Sequence, residues 1–173
     1  MAIGRRAMFS ETSVANRIAC RDMNPAALDL VYILANETDF DAYLAFEKLV
    51  ATPPCYVPIT DPQLARKEIT DNKLFFVTKA GVLVATTAYK IREDGSAYIS
   101  DIAVVPKERG KGIGRMVTQF AIDKVRDCPK IDLVTHPKNP ARALYESLGF
   151  KVEKEVPNYF GDGEPRLVMV LAK

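Results

Sequence analysis

Residues 96–115, SAYISDIAVVPKERGKGIGR, decide how the rest of the chain is read. Tyr98, Ile99, Ile102, Val104 and Val105 are strand formers, and Pro106, which has no N–H to give a ladder, closes the run. A short basic loop follows, then three glycines at alternate positions, Gly110, Gly112 and Gly114. From Gly114 the pattern becomes helical: Met116, Val117, Phe120, Ala121, Ile122 and Val125 recur at helical spacing as far as Asp127.

A glycine-lined turn running into a helix leaves several backbone N–H groups without intrahelical partners. Glycine lets the chain curl close to a ligand, and the helix dipole favours negative charge there. Arg109, Lys111 and Arg115 add positive charge at the same place. Strand, turn and helix together predict a cradle for a phosphate or pyrophosphate. The dinucleotide pattern G-x-G-x-x-G fails, because Arg115 stands where its third glycine would fall, and no Gly-Lys pair is followed by Ser or Thr as a P-loop requires.

Arg109-x-x-Gly112-x-Gly114 directly after a strand resembles the acetyl-CoA loop of the GCN5-related N-acetyltransferase (GNAT) family. A second stretch, Asn139-Pro-Ala-Arg-Ala-Leu-Tyr145-Glu-Ser-Leu-Gly149-Phe150, is similar to that family's other hallmark, a short helix carrying a tyrosine and ending in Leu-Gly-Phe. The resemblance runs from about Arg21 to the C-terminus. It implies a mixed α+β fold: a central, mostly antiparallel twisted sheet of six to seven strands, splayed between the fourth and fifth, with helices on both faces.

Working outward, 173 residues with 48% hydrophobic content suit one domain, 1–173, with a well-filled core. A net charge of +2 argues against nucleic-acid binding by bulk electrostatics, so the basic patch suits one small polyanion better. Cys20, Cys55 and Cys128 are an odd count without metal spacing and read as reduced thiols, which predicts a cytoplasmic protein without a metal. No apolar run is long enough to span a bilayer, and residues 1–12 read as a flexible extension.

Along the chain, residues 14–20 are a weak strand candidate. Asn24-Pro25 is a helix start, with Leu28, Val31, Tyr32 and Ala35 as its apolar stripe. A second helix is expected after Asp39, and a third opens at Asp61-Pro62; the proline-rich residues 51–60 between them are irregular. Residues 74–78 and 82–91 read as a hairpin about Ala80-Gly81. Residues 131–135, 150–156 and 167–171 are further strands, and 158–165 a flexible loop.

What the resemblance implies for the site follows residue by residue. The pantetheine arm would meet Val104, Val105 and Pro106. The diphosphate would meet Gly112, Ile113, Gly114, Arg115, Met116 and Val117, with Arg109, Gly110 and Lys111 beside it. Tyr145 matches the family's general acid toward the coenzyme sulfur, and it also suits packing between helix and sheet. Asn139 is six residues before Tyr145 instead of the usual seven, and is either a pantetheine contact or a helix cap. Where relatives often carry a glutamate base this chain has Ser100, followed by Asp101; Asp101 is the leading base candidate and His136 the second.

Tyr32, Phe40, Tyr43, Phe46 and Tyr56 could wall an acceptor site, although aromatics are equally at home in a core. The tail from Asn158 to Met169 is similar to the branch that acetylates ribosomal-protein N-termini, but Leu133 and Val134 stand where that branch has an acidic residue. The activity implied is transfer of an acetyl group from acetyl-CoA to a primary amine by direct attack in a ternary complex. The acceptor is a peptide or protein amine or a small-molecule amine; no nucleic acid or membrane partner is expected, and a homodimer is allowed. The alternative is a catalytically silent acyl-CoA-binding module.

Overall fold

The computed structural model describes residues 17–19 and 29–172. Eight strands form one sheet in the order β1-β2-β3-β4-β5-β6-β8-β7. They are β1 Arg17–Ala19, β2 Leu30–Leu34, β3 Lys73–Lys79, β4 Val82–Ile91, β5 Ala97–Val104, β6 Lys130–Thr135, β7 Lys151–Val156 and β8 Arg166–Ala172. Four α-helices accompany them: α1 Phe40–Val50, α2 Pro62–Asp71, α3 Ile113–Lys124 and α4 Ala141–Ser147. All neighbouring strands are antiparallel except β5 and β6.

Helices cover both faces because the strands alternate. On β3, Phe75 and Val77 join Tyr32 of β2 and Ile113, Val117 and Phe120 of α3. Leu74 and Phe76 point the other way, to Tyr43 of α1 and Ala65 and Ile69 of α2. Phe120 stacks on Tyr32 at 4.0 Å and meets the edge of Phe75 at 5.0 Å, fixing α3 to the sheet. α2 starts as its cap-plus-proline signal predicts, with Asp61 Oδ1 accepting from the Gln63 N–H at 2.7 Å.

One expected element is corrected. The helical stripe through Val31 and Tyr32 is in fact β2, paired with β3 from Leu30↔Lys79 to Leu34↔Phe75. Leu-Val-Tyr-Ile-Leu is a continuous apolar run within the sheet, and periodicity alone cannot tell such a strand from a buried helix. It supplies the eighth strand. The Asn24-Pro25 start lies outside the described residues. α3 also stops at Lys124, before Asp127, where the Val125 N–H turns back onto Ile122 O.

The feature that makes a site is the parting of β5 from β6. They pair only at Ala97↔Ile131, Tyr98↔Asp132 and Ile99↔Leu133. Beyond Ile99 the register of β5 against β4 slips, with Tyr89 opposite Ile99 and Ala88 opposite Asp101, so Ser100 is the extra residue of a bulge. The closed end is clamped by Arg92, whose two guanidinium nitrogens reach Asp132 at 2.5 and 2.8 Å. Among the described residues no helix is long and apolar enough to cross a membrane.

Candidate active site

Two cavities flank the open part of β5. The larger, about 780 Å³, is lined by Ile102, Val104, Arg109, Gly110, Gly112, Gly114, Arg115, Asn139, Leu144 and Tyr145, among others. The second, about 410 Å³, is lined by Glu47, Glu68, Tyr98, Ser100, Asp101, Thr135, His136 and Phe160, among others. Cys55, Tyr56, Ile102, Asn139 and Tyr145 line both.

In the larger cavity Gly112 caps α3 at φ +84°, and Gly110 lies at φ +76°. A Cβ at either would meet nothing within 4 Å, so both backbones face open space. Helical hydrogen bonding starts with the Met116 N–H on Gly112 O, leaving the amides of Ile113, Gly114 and Arg115 without a backbone acceptor among the described residues. Free amides, a helix N-terminus and open space fit a diphosphate.

The other expected contacts divide. Ile113 and Val117 carry fully buried core side chains. Arg109 turns inward, with Nε on Val104 O at 2.9 Å and a terminal nitrogen on Val50 O at 3.0 Å. Lys111 pairs with Glu108, and Arg115 bonds Ser147 Oγ. The Val105 N–H is used by Val84 O at 2.9 Å, and Pro106 has none. Strand alternation therefore turns the backbone groups of Ile102 and Val104 to the open edge. Ile102 was not among the expected contacts. Asn139 Oδ1 accepts from the Ala141 N–H at 3.0 Å, a local cap at the start of α4.

Tyr145 stands where the cavities meet. Its ring is buried against Phe150, centroids 6.2 Å apart, and its hydroxyl has no hydrogen-bond partner among the described residues. Burial, and then the charge of Asp101, raise its pKa. The hydroxyl therefore holds its proton throughout the physiological range.

The smaller cavity gathers carboxylates from separate elements. Glu47 of α1 is fully buried; its Oε2 accepts from the Ile59 N–H at 2.9 Å and its Oε1 from the Tyr56 hydroxyl at 2.7 Å. The same hydroxyl lies 3.0 Å from Asp101 Oδ1. One hydroxyl has one proton and can donate to only one of them, so the other contact requires a protonated carboxyl. Asp101 is that group: burial, then the charge of Glu47, push it up to about 8. Its Oδ2 is buried beside the Thr86 hydroxyl, with no further partner among the described residues. Glu68 of α2 accepts from Ser100 Oγ at 2.6 Å, and burial raises its pKa too.

His136 is buried with both nitrogens engaged: Nδ1 accepts from the Lys138 N–H at 3.1 Å and Nε2 lies 3.1 Å from Glu164. Among the described residues no group of three His, Cys, Asp or Glu could hold a metal ion. Of the five candidate wall aromatics, Tyr43 and Tyr56 line the cavity, Tyr32 and Phe46 are core, and Phe40 packs against the core on the α2 side. Sequence reasoning missed Glu47 and Glu68. A signal existed for the first: Tyr43, Phe46, Glu47 and Val50 are the buried positions of α1, so Glu47 falls inside the apolar stripe.

Residues 42–150 match the profile of the Acetyltransferase (GNAT) family. The UPF0157 protein YqkA of Bacillus subtilis (strain 168) is 31% identical over 130 residues, which is 67% of this chain but 37% of that protein. The chain thus spans little more than a third of that curated relative. Among solved structures, the ribosomal-protein-S18-alanine N-acetyltransferase of Escherichia coli superposes with TM-score 0.70 at 26% identity, covering 83% of this chain and 93% of that one. The yncA structure of Salmonella typhimurium, which contains acetyl-CoA, has TM-score 0.63 at 20% identity, covering 83% and 93%. At that identity the likeness is one of fold.

Proposed function

Because the chain belongs to the GNAT acetyltransferase family, we propose that it moves an acetyl group from acetyl-CoA to a primary amine by direct attack while both are bound. The observation that carries this is the meeting of the two cavities at Tyr145, an anion cradle on one side and carboxylates on the other.

When bound, acetyl-CoA supplies a thioester carbonyl open to attack. The amides of Ile113, Gly114 and Arg115 hold its diphosphate, and the open-edge groups of Ile102 and the N–H of Val104 receive its pantetheine arm, Val104 O being held by Arg109. The amine must lose a proton to attack. A carboxylate of ordinary pKa is a poor match for an ammonium; one pushed up to about 8 is far closer, so less free energy is lost in the transfer. Asp101 is the base in this reading, and Tyr56 and Glu47 set its proton affinity without touching the amine. Tyr145 donates its hydroxyl proton toward the departing sulfur as negative charge builds there.

Release of coenzyme thiol in the presence of a panel of amines, small and peptidic, tests the activity. No release with any amine, from protein that binds acetyl-CoA in calorimetry, would leave the silent binding module.

Asp101→Asn tests the base. Between the ordinary carboxylate value and about 8 the folded protein keeps a proton that the unfolded chain has released, so this group costs stability as pH rises through that window. The variant lacks that cost, and in thermal melts its advantage over the parent should grow from about pH 5 to about pH 8. Acetyl transfer should be about a hundred-fold slower near neutral pH, with the deficit narrowing as more amine is already neutral. A uniform deficit at every pH would make Asp101 structural.

Glu47→Gln removes the nearest like charge. The acidic limb of the kcat/KM profile should move down by about one pH unit, since a close carboxylate raises its neighbour's pKa. A profile that stays in place would detach Glu47 from the base.

A further inference from the structure

The geometry points to an aliphatic diamine as the acceptor: a molecule with two ammonium ends, no carboxylate, and an apolar chain between. This rests on the transferase reading above and concerns the cavity of about 410 Å³.

The cavity's charge is one-sided. Glu47, Glu68, Asp101 and Asp162 line it, against one guanidinium, Arg166. Arg166 is buried and already committed, to Asp162 and to Pro165 O. His136 offers no free donor, because its Nε2 faces Glu164 and its Nδ1 accepts from a backbone amide. An acceptor with a carboxylate near its amine would therefore bring a negative charge among carboxylates and find no free basic side chain lining the cavity.

Two of the four carboxylates have an oxygen to offer. Both oxygens of Glu47 are taken, by Tyr56 and Ile59, and those of Asp162 by Arg166 and the Glu164 N–H. Asp101 Oδ2 is buried with only the Thr86 hydroxyl beside it, and Glu68 uses only Oε1, for Ser100. Independently of the acids, Thr135 of β6 lines the same cavity, is 5% exposed, and has a buried Oγ1 without a partner. A buried hydroxyl in that state calls for an explanation, and a polar ligand in this cavity supplies one. The rest of the wall includes Tyr43, Tyr98 and Phe160, surfaces that suit a methylene chain and attract cations. Asp101 seats the reacting amine, and Glu68 holds the far ammonium.

Three acceptors of nearly equal length isolate the far end: 1,4-diaminobutane, butylamine and 4-aminobutanoate, which finish in an ammonium, a methyl and a carboxylate. Thiol release should give kcat/KM at least tenfold higher for the diamine than for butylamine, with 4-aminobutanoate lowest. Glu68→Gln should lower kcat/KM for the diamine about tenfold more than for butylamine, and butylamine turnover reports that the variant is folded. A butylamine value equal to the diamine's, a preference for 4-aminobutanoate, or turnover of peptide amines alone overturns the diamine assignment while leaving the transferase standing. Silence toward every amine overturns both.

Discussion

Tyr145→Phe should bind acetyl-CoA as tightly as the parent and turn over about a hundred-fold more slowly, the low end for loss of a general acid. The substitution removes one hydroxyl that bonds nothing else among the described residues, so no protein partner is left unsatisfied. The ring keeps its edge contact with Phe150, and the buried packing of α4 survives. A group that acts only as the thiolate departs contributes to the transition state and not to ground-state binding, so kcat falls and the dissociation constant does not. Single-turnover rates beside calorimetric affinities separate the two. Parental single-turnover rates in the variant would hand the sulfur's proton to water and leave Tyr145 a packing residue.

Gly112→Val should weaken acetyl-CoA binding by two orders of magnitude or more. Two effects combine. At φ +84° a β-branched side chain is strained by roughly 1–3 kcal/mol, and the loop relieves this by moving the amides that follow. The space its Cβ would enter is empty of protein, which is the space the cradle reading gives to the diphosphate. Gly112→Ala, smaller and less strained, should show the same loss at reduced size. Calorimetry on folded variants decides the matter: unchanged affinity in both would remove the diphosphate from this turn.

The strand, glycine turn and helix around residues 97–124 were legible because their signals are local. Pro106, the alternate glycines and the apolar stripe of α3 sit within thirty residues, and each acts on the backbone at its own position. The hairpin about Gly81 and the cap at Asp61 were readable for the same reason. β2 was not, because five apolar residues in a row satisfy a buried strand and a buried helix alike, and only pairing with β3 decides between them. The acid-lined cavity was legible only in fragments. Glu47, Tyr56, Glu68 and Asp101 come from α1, a proline-rich loop, α2 and β5, and no spacing in the sequence relates them. Asp101 was named a candidate through the motif it adjoins. Its high proton affinity comes from burial and from Glu47, fifty-four positions away in sequence (101 minus 47).

The sheet behaves as a pair of tongs. Its two arms, β5 and β6, touch over three residue pairs and are riveted there by Arg92 and Asp132, while five residues of β5 run on from Ile99 to Val104 with no grip on the other arm. At about 3.3 Å per residue the tip stands roughly 16 Å from the pivot, so a tilt of about 4° there shifts it by about 1 Å. Misplacements of that size can cost about a hundred-fold in rate when reacting groups must be aligned. The rivet lies away from both the glycine turn and Tyr145, and it sets the aperture in which they work. Substitutions at Arg92 or Asp132 would thus blunt the reaction by leverage alone, with every group that handles a proton still present but out of alignment.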